Sequence, residues 1–103
     1  MKDEEVPFLA QSLMDNKTVV ELNLSSNQIR ENGAQHLGNA LRNNTTLTVL
    51  NLSRNQIGDA GAQKLADILQ VNKTLISLQL IQNQISKRIQ QELNSKDSRI
   101  AIK

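Results

Sequence analysis

His36 is the only histidine in the chain, and there is no cysteine. A zinc site therefore lacks its usual set of ligands, and a Cys/His nucleophile system lacks its nucleophile. A Ser/His system would depend on His36 alone. Lys64 lies 28 residues after His36, and Glu92 lies 28 residues after Lys64. Lysine and glutamate are both typical of a solvated surface. We expect His36 to be exposed and not to act as a catalytic base.

The acidic residues and glycines show no catalytic pattern either. Asp59 and Asp67 occupy repeated and surface positions, too far apart in the pattern to suggest a pair of catalytic carboxylates. The segment "GDAG" at Gly58 belongs to a repeated turn and not to a glycine-rich phosphate loop. We predict no catalytic residue, no metal ligand and no cofactor, and hence a protein that is not an enzyme.

Three asparagines at equal spacing are the clearest candidates for a functional row. Asn27, Asn55 and Asn83 are separated by the same step that relates His36 to Lys64, and each is followed two positions later by isoleucine. A structural role explains them better than a chemical one, because a chain that bends after a strand leaves backbone groups unpaired. An asparagine turned inward can satisfy those groups. We predict that this row is structural.

The same spacing relates whole segments of the chain. Leu22–Val49 and Leu50–Ser77 are identical at 15 of 28 positions, and a third copy begins at Leu78. Such self-similarity indicates a repeat architecture. Triplets of the form Asn-x-Ser/Thr recur with the repeat, which accounts for them better than glycosylation does; they begin at Asn16, Asn23, Asn43, Asn44, Asn51 and Asn72.

Each unit combines a strand with a helix. It opens with alternating leucines, which predict a strand with one buried face. In the middle copy Asp59 then precedes Ala62, Leu65, Ala66 and Leu69, spaced as one face of a helix, and we expect Asp59 to cap that helix. Stacked units bury what one unit cannot, so we predict a core ladder of Leu22/50/78, Leu24/52/80, Ile29/57/85, Leu37/65/93 and Leu41/69.

The motif "LxxLxLxxNxI", from Leu47 to Ile57, resembles the leucine-rich repeat. The 28-residue period with "GDAGAQKLADIL" is similar to the ribonuclease-inhibitor-like subclass, also found in NOD-like receptors and Ran GTPase-activating proteins. The resemblance covers about Val6 to Ile85. It implies an α/β fold, a right-handed, curved solenoid with a parallel sheet on the concave side and helices on the convex side. In this family the asparagine row is the asparagine ladder.

We expect one leucine-rich repeat domain over residues 1–103, with a partial repeat at 3–18 and repeats from about 19–46, 47–74 and 75–103, the last shortened. Pro7 should make the first helix start late or fray. Arg99–Lys103 should form a short final strand with Ile100 and Ile102 facing inward.

The residues that alternate with the strand leucines should face the concave side and bind a partner, since repeat scaffolds use this sheet as an extended binding surface. They are Glu21, Asn23, Ser25, Val49, Asn51, Ser53, Ser77, Gln79 and Ile81. The leading hypothesis is a non-enzymatic protein–protein interaction module. The alternatives are a regulatory module that stimulates a GTPase and a structural unit that assembles by stacking on itself.

Composition narrows the partners. A formal net charge of +2 does not suggest nucleic-acid binding. No apolar run approaches a membrane span, and the acidic start "MKDEEVPFLAQSLMDN" lacks the features of a secretory signal. We expect another protein as partner, no nucleic acid, no membrane and a cytoplasmic location. Residues 1–31 carry a net charge of −3 and residues 84–103 one of +3, so weak self-association through the ends is also expected.

Overall fold

The protein alternates four helices with four short strands. The structure is a computed structural model, and it describes residues 1–102; the final position of the predicted strand, Lys103, lies outside the described residues. The elements are α1 (Val6–Asp15), β1 (Glu21–Asn23), α2 (Glu31–Asn43), β2 (Val49–Asn51), α3 (Gly58–Leu69), β3 (Ser77–Gln79), α4 (Lys87–Lys96) and β4 (Ile100–Ala101). Within residues 1–102 no helix has the length and apolar character needed to cross a membrane.

The strands form one parallel sheet in the order β1-β2-β3-β4. Glu21 pairs with Val49 and Val49 with Ser77, so partners in the first three strands hold the same place in successive repeats. The spacing shortens at the last strand, where Leu78 pairs with Ile100. Helices α2, α3 and α4 each connect one strand to its parallel neighbour, as a parallel sheet requires, and α1 precedes the first strand. Strands and helices therefore form two layers of one stack.

The core lies between the two layers. The leucines and isoleucines of the predicted ladder are buried in every repeat, with one exception. Leu22 is only partly buried, because β1 lies at the edge of the sheet and no described strand covers it on the other side. The core that contains the ladder extends from Val6, Ala10 and Leu13 of α1 to Ile100 of β4.

Gly61 of α3 is packed tightly against Ile57, the residue that precedes its helix. A Cβ atom added there would lie 2.5 Å from Ile57 Cγ2 and 3.4 Å from the Cβ of Ala34 in α2. The first distance is shorter than real Cβ contacts, so a larger residue would require the Ile57 side chain to shift, whereas the second distance is an ordinary van der Waals contact. A small residue at position 61 therefore suits the packing of α3 against its own turn.

The predicted cap at Asp59 is wrong. Helix α3 begins at Gly58, its N-cap is Ile57, and no side chain caps it. Asp59 lies inside the first turn, and its Oδ1 accepts a hydrogen bond of 2.7 Å from the backbone N–H of Ser86 in the next repeat. Asp3 makes the equivalent bond to Arg30, also at 2.7 Å. This aspartate position joins repeats and does not cap its own helix.

The first helix begins at Val6, with Pro7 in its first turn. Counted back by one repeat, the start of α2 at Glu31 corresponds to Asp3, so α1 starts later in its repeat than α2 does. A proline lacks a backbone N–H, which the first turn of a helix does not need. The late start expected from Pro7 is thus present.

At the other end, β4 is followed by Ile102, and both Ile100 and Ile102 are buried. Beside them Arg99 inserts its guanidinium under the preceding repeat. Its Nη2 donates to the carbonyl of Leu69 at 2.5 Å and its Nη1 to those of Asn72 and Leu75 at 2.8 and 2.9 Å. Asp97 holds the guanidinium in place, with Nη2 and Oδ2 2.7 Å apart. The pair joins the segment before β4 to the preceding repeat.

Arg99→Met should destabilise the protein by about 1–3 kcal/mol, because carbonyls beneath the last repeat lose their charged donor while the apolar stem is kept. Arg88→Met is the matched control, since Arg88 is exposed on α4. Urea unfolding of the two variants measures the difference. Equal midpoints would show that the bonds from Arg99 to the preceding repeat do not stabilise the protein.

The same pair predicts an acid dependence. The hydrogen bond from the Arg99 side chain holds the pKa of Asp97 below its ordinary value of 3.8. A carboxyl group with a lowered folded-state pKa stabilises the protein above its unfolded pKa, and this contribution is lost as the pH falls through the folded value. Unfolding free energies measured between about pH 6 and pH 2 should therefore fall less steeply for Asp97→Asn than for the unmodified protein. Parallel curves would contradict the assignment.

Candidate binding face

The nine residues predicted to bind a partner project from the strand side of the sheet. They form three rows across the strands, because parallel register places Glu21, Val49 and Ser77 side by side and then Asn23, Asn51 and Gln79. Ser25, Ser53 and Ile81 continue just beyond the strands. Glu21 and Asn23 are exposed and the other seven are half-buried. We call these nine residues the strand face.

Part of the strand face is occupied by internal hydrogen bonds. Asn23 Oδ1 accepts from the backbone N–H of Ser25 at 2.9 Å, and Asn51 Oδ1 accepts from that of Ser53 at 3.0 Å. Ser53 Oγ in turn accepts from the N–H of Ile81 at 3.2 Å. These side chains shape the turn after each strand. Substituting Asn23, Asn51 or Ser53 would therefore alter the fold as well as the surface.

The remaining strand-face side chains are available to a ligand. Gln79, Ser77 and Glu21 have no side-chain hydrogen bond within residues 1–102, and Val49 and Ile81 add two half-buried apolar groups. Glu21 is the only charged residue of the nine. Neighbouring strands lie about 4.8 Å apart, so the three strands that carry the strand face span about 10 Å. The chemistry available is that of a small, nearly neutral contact surface with a few amide and hydroxyl groups.

Behind the strand face, the first asparagine row joins the repeats. Asn55 Oδ1 accepts from the backbone N–H of Ile29 at 3.0 Å, and its Nδ2 donates to the carbonyls of Leu24 and Leu52 at 3.0 Å each. Asn83 makes the corresponding bonds to its preceding repeat. Its Oδ1 accepts from the N–H of Ile57, and its Nδ2 donates to the carbonyl of Leu52. At the first rung Asn27 accepts from the amino terminus of Met1 at 2.6 Å.

A left-handed residue precedes each asparagine of this row. Ser26, Arg54 and Gln82 have φ angles of 58°, 59° and 59°. This conformation costs an ordinary L-residue about 1–2 kcal/mol. The chain turns sharply off the strand at these positions, and the side chain of Asn55, for example, bonds to the carbonyl of Leu52 before the turn and to the N–H of Ile29 in the preceding repeat. The row therefore stabilises a bend that the local backbone disfavours.

A second asparagine row was not predicted as a structural element. Asn44 and Asn72 are 2% and 4% exposed. Asn72 Nδ2 donates to the carbonyl of Leu41 at 2.7 Å and to that of Asn44 at 3.2 Å, and its Oδ1 accepts from the N–H groups of Thr74 and Leu75.

Asn44 makes the equivalent bonds to Leu13, Thr46 and Leu47. The signal was the equal spacing of Asn16, Asn44 and Asn72, which the glycosylation-like triplets obscured.

The predicted exposure of His36 agrees with the structure, since its side chain lies on the outer surface of α2. It borders an open groove of about 640 Å³ at the N-terminal corner, together with Lys2, Asp3, Glu4 and Arg30. These side chains carry charges of both signs and do not converge on a common point. No group of histidine, aspartate or glutamate side chains within residues 1–102 could hold a metal ion.

Comparison with known proteins supports the fold. The family model described as Leucine Rich repeat matches residues 15–38 and 43–66, whereas no curated protein matches. A solved structure titled "Leiomodin-1 Actin-Binding Site 2 (ABS2)" superposes with a TM-score of 0.89 at 21% identity, covering 100% of this chain and 64% of that one. The tropomodulin C-terminal domain of Caenorhabditis elegans superposes with a TM-score of 0.74 at 16% identity, covering 97% of this chain and 61% of that one.

The predicted fold class is therefore confirmed. The chain carries leucine-rich repeats and folds as a leucine-rich repeat solenoid of alternating parallel strands and helices. It spans less than two thirds of the length of either solved neighbour. At these identities the likeness concerns the fold, because one fold hosts many unrelated functions.

Proposed function

We propose that this chain is a non-enzymatic protein-binding module that holds its partner on the strand face. The observation that carries the proposal is the contrast between strand-face residues with internal roles and those without. Gln79, Ser77 and Glu21 present polar groups that the fold does not use, and Val49 and Ile81 are apolar beside them. Surfaces that combine apolar contacts with unpaired polar groups suit protein partners.

Actin is the first partner to test. The leiomodin-1 structure that superposes on the whole chain is titled as an actin-binding site, and this title is the support for the choice. An actin-binding role would also agree with a cytoplasmic location, which is part of the proposal.

We further propose the domain division expected from the sequence. It comprises one domain over residues 1–103, with a partial repeat at 3–18 and repeats from about 19–46, 47–74 and 75–103. Paired residues of the first three strands are 28 positions apart in the chain, and this constant repeat length supports assignment to the ribonuclease-inhibitor-like subclass.

The test compares the strand face with the helix face. Gln79→Arg places a long cation on the strand face, and Gln63→Arg makes the same change on the exposed outer surface of α3. Titration of labelled protein with monomeric and filamentous actin should show affinity reduced at least about tenfold by Gln79→Arg, since a misplaced interface charge costs more than about 1 kcal/mol. Gln63→Arg should bind as the unmodified protein does.

Each other outcome has a definite meaning. Loss of binding in Gln63→Arg with retention in Gln79→Arg would move the interface to the helices and refute the strand-face assignment. Absence of binding to either form of actin would refute actin as the partner. Thermal unfolding of both variants, which should match within about 0.5 kcal/mol for surface substitutions, controls for misfolding.

A further inference from the structure

The N-terminal edge of the stack has an unpaired strand. The N–H of Leu24 donates to the carbonyl of Asn51 in β2 at 2.8 Å. Alternate residues of a parallel strand point their backbone groups to opposite sides. The N–H and C=O groups of Glu21 and Asn23 therefore point away from β2, where no described strand accepts them. An unpaired edge of this kind can pair with a strand of another chain.

Helix α1 exposes an apolar side chain on the same end. Phe8 is the only aromatic residue and is 77% exposed. Its equivalent two repeats later is Lys64, whose Nζ reaches back across the rung to Glu31 Oε2 at 3.0 Å and Gln35 Oε1 at 2.9 Å. Phe8 at the same position of α1 therefore points toward the side where a preceding helix would pack.

The opposite end has complementary charge. Residues 1–31 contain three basic and six acidic residues, whereas residues 84–103 contain five basic and two acidic ones. Lys96 and Arg99 already pair with Asp67 and Asp97. Lys87 is exposed and occupies in α4 the position that Glu31 occupies in α2. It is therefore the cation best placed to meet a following unit.

We propose that a second copy of this chain docks on the N-terminal edge, head to tail, with its β4 beside β1 and its α4 beside α1. This surface meets the strand face at Glu21 and Asn23, but it uses their backbone groups at the edge of β1 and not their side chains. The sheet then continues in parallel from one copy to the next, and an end of charge −3 meets an end of charge +3. An N-terminal end facing another N-terminal end is disfavoured, because two acidic ends repel.

The repeat geometry identifies the residues that meet. A Cβ atom at Gly61 would lie 3.4 Å from the Cα of Glu31 in the preceding repeat. Glu5 is the equivalent of Gly61 two repeats earlier, and Lys87 is the equivalent of Glu31 two repeats later. At a junction that continues the stack, Glu5 of one copy therefore lies against Lys87 of the other. Phe8 lies beside the same lysine, in reach of a cation–π contact.

The contact is weak and open-ended. Helix α4 carries Gln90 and Asn94 where α2 carries Ala34 and Gly38, so its outer surface is bulkier and more polar than a normal rung. A head-to-tail contact also leaves a free end on every assembly. The mean mass should therefore rise continuously with concentration and should not stop at a dimer.

A charge exchange tests the proposal with the intact chain. Sedimentation equilibrium of the unmodified protein up to millimolar concentration should show association that weakens as salt rises from about 20 to about 500 mM, since this range shortens the screening length several-fold. Glu5→Lys and Lys87→Glu should each weaken association about threefold to tenfold, by turning an attraction into a repulsion. The double variant, and an equimolar mixture of the two single variants, should recover it.

Recovery in the double variant and in the mixture supports the head-to-tail junction, because opposite charges meet at every contact of the double variant and wherever the two single variants alternate in the mixture. A monomeric mass at all concentrations and salt conditions would overturn the proposal. Association that is weakened by Glu5→Lys but unchanged by Lys87→Glu would also overturn it, since the N-terminal ends would then meet each other. Unaltered unfolding of the single variants excludes loss of fold as the cause.

Discussion

Asn72→Leu should destabilise the protein by about 2–4 kcal/mol, because several buried backbone groups lose their partners together. The Asn72 amide donates to the carbonyls of Leu41 and Asn44 in the preceding repeat, while its oxygen accepts from the N–H groups of Thr74 and Leu75 in its own turn. Leucine has the same branched arrangement of side-chain heavy atoms but no polar atoms. Asn72 is only 4% exposed, so water cannot easily replace the lost bonds.

Lys73→Leu is the matched control, because Lys73 is the exposed neighbour of Asn72. A third variant, Asn72→Asp, keeps an oxygen for the turn but removes the donor to Leu41, and it should also be destabilised. Chemical unfolding followed by circular dichroism measures all three. Should Asn72→Leu unfold at the same urea concentration as Lys73→Leu, the second asparagine row would not be a structural element.

Asn55→Leu should destabilise the protein by about 1–3 kcal/mol, the usual cost of leaving a buried backbone group unpaired. The expected effect is smaller than at Asn72, because the carbonyls of Leu24 and Leu52 retain other donors. Asn27 Nδ2 also donates to Leu24, at 2.9 Å, and Asn83 Nδ2 to Leu52, at 2.8 Å. The N–H of Ile29 donates to Asn55 Oδ1 at 3.0 Å, and this group loses its partner in Asn55→Leu.

Gln56→Leu is the control for this row. Gln56 directly follows Asn55, and its Oε1 accepts from Arg30 Nε at 3.0 Å in an exposed bond. Bonds of this kind are replaced by water at little cost. The thermal unfolding midpoint of Asn55→Leu should therefore be lower than that of Gln56→Leu. Coincident midpoints for the two variants would remove the structural role of the first row.

The order of strand and helix in each repeat, the buried residues and the inward asparagines were readable from the chain. Alternating leucines such as Leu50 and Leu52, the helical spacing from Ala62 to Leu69, and Asn55 two residues before Ile57 each describe local geometry. Local geometry depends on backbone periodicity, which a linear pattern contains. A repeated pattern that cannot bury its apolar face alone also predicts stacking. The strand face, in contrast, remains a prediction about binding.

The bonds between repeats were decided by the tertiary structure alone. The sequence pattern suggested that Asp59 caps its own helix, yet the carboxylate bonds to Ser86 in the next unit. Nothing in the spacing indicated that Arg99 would reach the carbonyl of Leu69, or that Asn72 would reach that of Leu41. Such contacts depend on the distance and rotation between neighbouring units. Residue types and spacing within one unit do not specify that relation, so only the stacked chain shows which polar group each side chain meets.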